Sequence, residues 1–129
     1  MKVLSITEPF ASLISSNIKH IETRSWKTSY RGELYIHASL TKIPKIWREN
    51  KELMSFVKNI PLNYGYIICK CNLKDCIYIN ESFIEELKKN NETEYSLGIY
   101  EVGRYAWILE DITPIDKIKT KGKLGIWTY

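Results

Sequence analysis

No run of about 18 consecutive apolar residues, the length a helix needs to cross a bilayer, occurs in the chain, so no membrane-spanning helix is expected. The first residues also lack the charged-then-apolar pattern of a secretion signal, which makes a soluble, unsecreted, cytoplasmic protein the expectation. Cysteine is scarce. Cys69, Cys71 and Cys76 lie on one short segment, and an odd number argues against a disulfide framework. Their Cys-x-Cys-x4-Cys spacing lacks a fourth zinc ligand, so they read as small buried hydrophobes of a strand. Neither a metal nor another cofactor is expected. Internal repeats and low-complexity tracts are absent too, and 129 residues fit one domain, 1–129, with a single core.

Charge is present but unevenly spread. The formal net charge of +4 is modest. From Asp116 onward, however, Lys117, Lys119, Lys121 and Lys123 face one acid, and Lys19, Arg24, Lys27 and Arg31 cluster early, whereas acids concentrate between Glu81 and Glu101. If the two basic groups meet in space they form a patch suited to a polyanion; if not, they are solvated surface.

Along the chain, Lys2 to Ile6 reads as a short strand. Thr7-Glu8-Pro9 then supplies an N-cap, an acid at the positive helix end and a proline in the first turn. Phe10, Leu13 and Ile14 form one apolar stripe at helical spacing. Position 17, just beyond that helix, calls for a left-handed residue, and asparagine is the usual second choice after glycine. Lys27 to Gly32 reads as a turn. In Glu33 to Ser39, apolar Leu34, Ile36 and Ala38 alternate with Tyr35, His37 and Ser39, a face that can join Glu22, Arg24 and Trp26. Lys42 to Lys58 reads as a helix of about four turns stopping at Asn59-Ile60-Pro61. Tyr64 to Tyr78 is β-rich, and Asn80 caps a short helix carrying Phe83, Ile84 and Leu87. Glu92 to Arg104 is open between a lid over a cleft and a cover for a core edge. Tyr105 to Ile112 returns to strand and ends at Thr113-Pro114. Gly122 to Tyr129 is a glycine-punctuated strand. About five or six short strands with two or three helices give an α+β pattern, best satisfied by a curled or closed sheet without open edges.

The densest chemistry lies in Asn17 to Trp26, where two cations, a carboxylate, an imidazole and an indole share ten residues. Asn17-x-Lys19-x-x-Glu22-x-Arg24 resembles the G-x-K-x-x-E-x-R signature of the ASCH domain family, with asparagine in place of the glycine. Further blocks are similar to that family over nearly the whole chain. They are Ser5-x-x-x-Pro9-Phe10-Ala11-Ser12-Leu13, Arg24-Ser25-Trp26 with Tyr30-Arg31-Gly32-x-Leu34-x-Ile36-x-Ala38, Tyr105-Ala106-Trp107-x-Leu109, and Lys121-Gly122-Lys123-x-Gly125-x-Trp127. The resemblance implies a PUA-like small mixed β-barrel with peripheral helices, a cleft beside the first helix, and binding of RNA, DNA or modified bases.

Residue chemistry agrees with that implication. Nucleic acid requires cations for phosphate and flat faces for bases. Lys19, Arg24, Lys27, Arg31 and Lys121 suit the first, and Trp26, Tyr35 and Trp127 the second, although Trp107 and Trp127 also read as core by strand alternation. The candidate ligand set is Pro9, Phe10, Lys19, Glu22, Arg24, Ser25, Trp26, Arg31, Tyr35, His37 and Lys121, with RNA, single-stranded DNA or a nucleotide as partner. Structural alternatives stand beside it: His37 as a hydrogen-bonded strand residue, Lys19 and Glu22 as a simple ion pair. The competing expectation is a small hydrolase acting on RNA or a modified nucleoside, with Lys19 and Glu22 as catalytic residues. PUA-like amidohydrolases of N4-acetylcytidine, as the resemblance implies, pair a lysine with a threonine three residues on. Glu22 occupies that position here, a poor substitute for an activated hydroxyl, so binding is favoured over catalysis.

Overall fold

The computed structural model describes residues 1–129. Six strands form a single mixed sheet: β1 (Lys2–Ile6), β2 (Ile21–Arg24), β3 (Gly32–Ala38), β4 (Tyr66–Tyr78), β5 (Tyr105–Lys119) and β6 (Ile126–Thr128), in the order β2-β5-β4-β3-β1-β6. Only β1 and β3 run parallel, with Val3 opposite Tyr35 and Ile6 opposite Ala38. Five short helices surround the sheet: α1 (Phe10–Ser15), α2 (Lys45–Arg48), α3 (Lys51–Val57), α4 (Glu81–Asn90) and α5 (Glu92–Ser96). This is the expected PUA-like α+β architecture, built as a curled half-barrel and with five helices where two or three were expected.

Bulges produce the curl. The β4–β5 register shifts between Ile67 and Cys69, between Lys70 and Asn72, and between Leu73 and Asp75, and Asp111 adopts a left-handed φ of 53°. Each extra residue bends its strand and tightens the twist. The bulges also explain why β5 does not end at Thr113-Pro114, as the sequence suggested, but continues to Lys119. Pro114 lies opposite Cys69, beside a register shift, where its missing N–H costs the ladder least.

The inner face of the curl carries the main core. Leu4, Ile6, Leu34, Ile36, Ala38, Cys69, Cys71, Leu73, Trp107 and Leu109 pack there against Ala11 and Ile14 of α1. Trp107 is fully buried, in keeping with strand alternation. Burial pushes the thiols of Cys69 and Cys71 upward, the latter to about 12, which keeps them protonated and inert. Val3, Ile67 and Trp127 form a separate cluster, with Tyr35 against it; strand alternation puts Val3 and Tyr35 on the face opposite Leu4 and Leu34.

Several elements differ from the sequence expectation. The predicted 42–58 helix is two helices, because the Asn50 side chain accepts a hydrogen bond from the Leu53 N–H at 3.0 Å and starts a new one; asparagine gains more at an N-cap than inside a helix. Pro9, not Thr7, stands at the N-cap of α1 without a side-chain bond. The neighbouring Glu8 carboxylate, fully buried, takes over by accepting from the Ser12 N–H at 2.9 Å and the Asn63 N–H at 2.7 Å. The final strand is only Ile126–Thr128, since Thr120 to Gly122 is drawn onto His37 instead. The Nε2 of His37 lies 2.8 Å from the Thr120 carbonyl, and a Cβ at Gly122 would meet Ser5 Oγ at 2.5 Å.

Asn17 is left-handed, with φ 59°. Its N–H bonds the Ile14 carbonyl, while Ile18 and Lys19 both donate to Leu13, closing α1 and turning the chain toward β2. Asn17→Gly is therefore expected to fold as stably as the parent, whereas Asn17→Val is expected to lose about 1–2 kcal/mol, measured as the change in urea midpoint at constant slope.

Candidate functional site

Turning out of α1 points Lys19 inward. Its residue is 1% exposed, and its Nζ donates to the Leu97 carbonyl at 2.6 Å and stands 5.4 Å from the Phe10 ring centre. Burial lowers its pKa, with the nearby Glu22 and Glu94 carboxylates opposing that shift. Glu22, on β2, is 8% exposed and lies 3.1 Å from Arg24 Nε. The Arg24 fork then extends to the Ser5 carbonyl on β1 at 2.8 Å. Thus β2, at one edge of the sheet, is tied to β1 near the other edge, and the half-barrel is held curled.

These side chains open into a cavity of about 310 Å³ beside α1, within the usual range for small-molecule sites. Phe10, Trp26 and Trp47 supply aromatic walls, Lys19, Arg24 and Arg104 cations, and Glu22 a carboxylate. The rings are braced edge-on: Trp26 against Trp107 at 4.8 Å between centres, Phe10 against Trp47 at 5.2 Å. Trp26 keeps 38% of its surface exposed, so a flat ligand has a face available to it.

The 92–104 segment forms the remaining wall. Glu94 of α5, buried, accepts from the backbone N–H of His20 at 2.7 Å and of Ile21 at 3.3 Å, docking α5 on the start of β2. Leu97, Gly98, Ile99 and Arg104 then border the cavity, while Tyr100 packs with Ile79 and Ala106 at the core edge. The segment thus borders the cavity with Leu97 to Ile99 and Arg104, and covers a core edge with Tyr100. The Tyr100 hydroxyl is buried without a hydrogen-bond partner, and burial, with Glu94 and Glu22 adding to it, pushes its pKa upward.

A family model for the ASCH domain matches residues 4–119. The chain belongs to the ASCH domain family. Human activating signal cointegrator 1 is 49% identical over 39 residues, which amount to 30% of this chain and only 7% of that protein. Among solved structures, an ASCH protein from Zymomonas mobilis superposes with a TM-score of 0.55 at 17% identity, covering 92% of this chain and 72% of that one. A mutant of the same protein gives 0.56 at 18%, over 92% and 74%. These likenesses support the fold.

Within this ASCH domain, six of the sequence-derived candidates, Phe10, Lys19, Glu22, Arg24, Ser25 and Trp26, line the one cavity. Pro9 is buried at the start of α1. Arg31 is exposed, bonded to the Thr28 and Tyr30 carbonyls and 3.5 Å from Asp75. Tyr35 and His37 do not join the Glu22 and Arg24 face. His37 is buried between Ser5 Oγ, at 3.0 Å from Nδ1, and the Thr120 carbonyl. Because side chains alternate along β1, Ile6 reaches the cavity while Ser5 points to the opposite face, where Gly122 packs. Lys121 therefore belongs to a strap behind β1, and the two basic groups do not merge in the cavity. No group of three His, Cys, Asp or Glu side chains is placed to hold a metal.

Trp47 and Arg104 were not among the candidates. Trp47 was hidden in an ordinary apolar helical stripe. Arg104 lies in the segment with no readable period, and Thr23, one residue from the expected threonine position, borders the cavity as well.

The lowered pKa of Lys19 has a thermodynamic consequence. The unfolded chain holds this proton more tightly than the folded one, so the contribution of Lys19 to stability rises with pH; it is complete above the ordinary value of 10.5 and lost as pH falls through the lowered pKa. The stability of the wild type relative to Lys19→Met is accordingly expected to increase as pH is raised toward 10.5, measured by urea unfolding at each pH.

Proposed function

We propose that this ASCH domain binds single-stranded nucleic acid or a nucleotide, taking one base into the cavity beside α1. The observation that carries this reading is the joint presence of Trp26, Phe10 and Trp47 with Lys19, Arg24 and Arg104 around one half-open cavity. Aromatic faces contribute about 1–3 kcal/mol per stacked base whatever its sequence, and cations add a salt-dependent attraction for phosphate. The cavity's size favours one base over an extended groove. RNA and single-stranded DNA both meet these requirements.

A hydrolytic reading finds support in one feature. Lys19 is an amine whose buried setting lowers its pKa, beside Glu22 and Thr23 in a cavity, and such an amine suits proton transfer or nucleophilic attack. Incubation with N4-acetylcytidine and with labelled RNA, alongside Lys19→Ala, discriminates. Turnover abolished by the substitution establishes catalysis, and no turnover leaves binding alone.

The binding reading is tested by titrating short single-stranded RNA and DNA at two salt concentrations. Affinity is expected to fall as salt rises, and Trp26→Ala is expected to weaken binding by about 1–3 kcal/mol. Absence of binding to any oligonucleotide or nucleoside at low salt overturns the proposal.

A further inference from the structure

The cavity's three cations are not equivalent. Lys19 is committed to the Leu97 carbonyl, and burial disfavours its charge. The charge of Arg24 is answered by Glu22 at 3.1 Å. Arg104 differs from both. Its Nε donates to the Ile99 carbonyl at 3.2 Å and its Nη2 to the Thr23 carbonyl at 3.2 Å, yet it forms no ion pair with any carboxylate. Two neutral acceptors thus fix the direction of the guanidinium and leave its charge unmatched. Three of its five N–H donors remain for a ligand.

We infer that Arg104 is a phosphate-recognising residue, and that the cavity selects a phosphorylated nucleoside unit over a free base or nucleoside. This rests on the nucleic-acid reading above and narrows it. A guanidinium presents a planar fork that matches two phosphate oxygens at once, and one already oriented by backbone carbonyls loses little freedom on binding. Electrostatics also assign the ligand's orientation. Deep in the wall, Glu22 answers the charge of Arg24, so the interior offers an anion no unmatched cation there, while Arg104 is half-buried with its charge unmatched. The phosphate therefore stays on the Arg104 side, and the base enters against Phe10, Trp26 and Trp47. A terminal monophosphate and an internal phosphodiester share this chemistry.

The experiment is calorimetric titration of the full chain with the four common ribonucleosides, their 5′-monophosphates, and short single-stranded oligonucleotides with and without a terminal phosphate. Monophosphates are expected to bind at least about tenfold more tightly than nucleosides at low salt, and the advantage should shrink as salt rises. In Arg104→Gln the ratio of monophosphate to nucleoside affinity should fall to about one, with an unchanged urea midpoint reporting an intact fold. Arg104→Lys, keeping the charge without the fork, should restore only part of the advantage. Equal affinity of nucleosides and monophosphates for the wild type overturns the inference and leaves the broader reading standing, as does an advantage that survives Arg104→Gln. If no nucleoside, nucleotide or oligonucleotide binds, both fall. Should Arg104→Gln not fold, the wild-type comparison decides with Arg104→Lys. Dependence on the terminal phosphate identifies a strand end as the ligand, and independence an internal phosphodiester.

Discussion

Lys19 joins three parts of the chain through a single buried amine. It leaves the C-terminus of α1, lies beside Glu22 of β2, and donates to the carbonyl of Leu97 just after α5. A buried ammonium is costly unless partners surround it. Meeting that requirement brings together a helix end, a sheet edge and a distant segment. Glu94 reinforces the same junction by capping the N–H groups at the start of β2. The resulting wall has polar groups pointing inward where an ordinary core would have leucines.

Two further constraints give the cavity its shape. The bulges of β4 and β5 bend the sheet until Arg24 reaches the Ser5 carbonyl, so the curl is fixed by backbone irregularity and locked by one side chain. Edge-on aromatic contacts, Trp26 on Trp107 and Phe10 on Trp47, anchor the cavity's rings to the core or to a neighbouring helix. Such bracing fixes the faces in the cavity wall, the preorganisation that the proposed binding of a base would use. Behind β1, the contacts of Ser5, His37 and Thr120 hold the lysine-bearing strap on the opposite face.

The ASCH signature and the cavity coincide only in part. Lys19, Glu22 and Arg24 meet there, joined by Phe10, Ser25 and Trp26. Lys121, from another block that resembles the family, serves the strap instead, held there by His37. A motif read along the chain mixes residues that build a cavity with residues that support it, since both are one-dimensional patterns until the sheet curls.

Local rules sufficed wherever local interactions decide. The left-handed Asn17, the α1 stripe, the Asn80 cap and the alternation of Leu34, Ile36 and Ala38 follow from short-range sterics and from which face must leave water. Interactions between distant residues settled the rest. Asn50 divides the 42–58 helix because its side chain competes for the Leu53 N–H, and β5 passes through Pro114 because β4 bulges opposite it. Arg104 joins the cavity because the chain folds back across β2, a path that no periodicity in Glu92 to Arg104 announces. The sequence alone determined the α+β class, the family resemblance and the chemistry of the stretch from Asn17 to Trp26. Only the tertiary structure decided which cations share a space, because that depends on the curl of the sheet and on the burial of Lys19, and neither is a property of neighbouring residues.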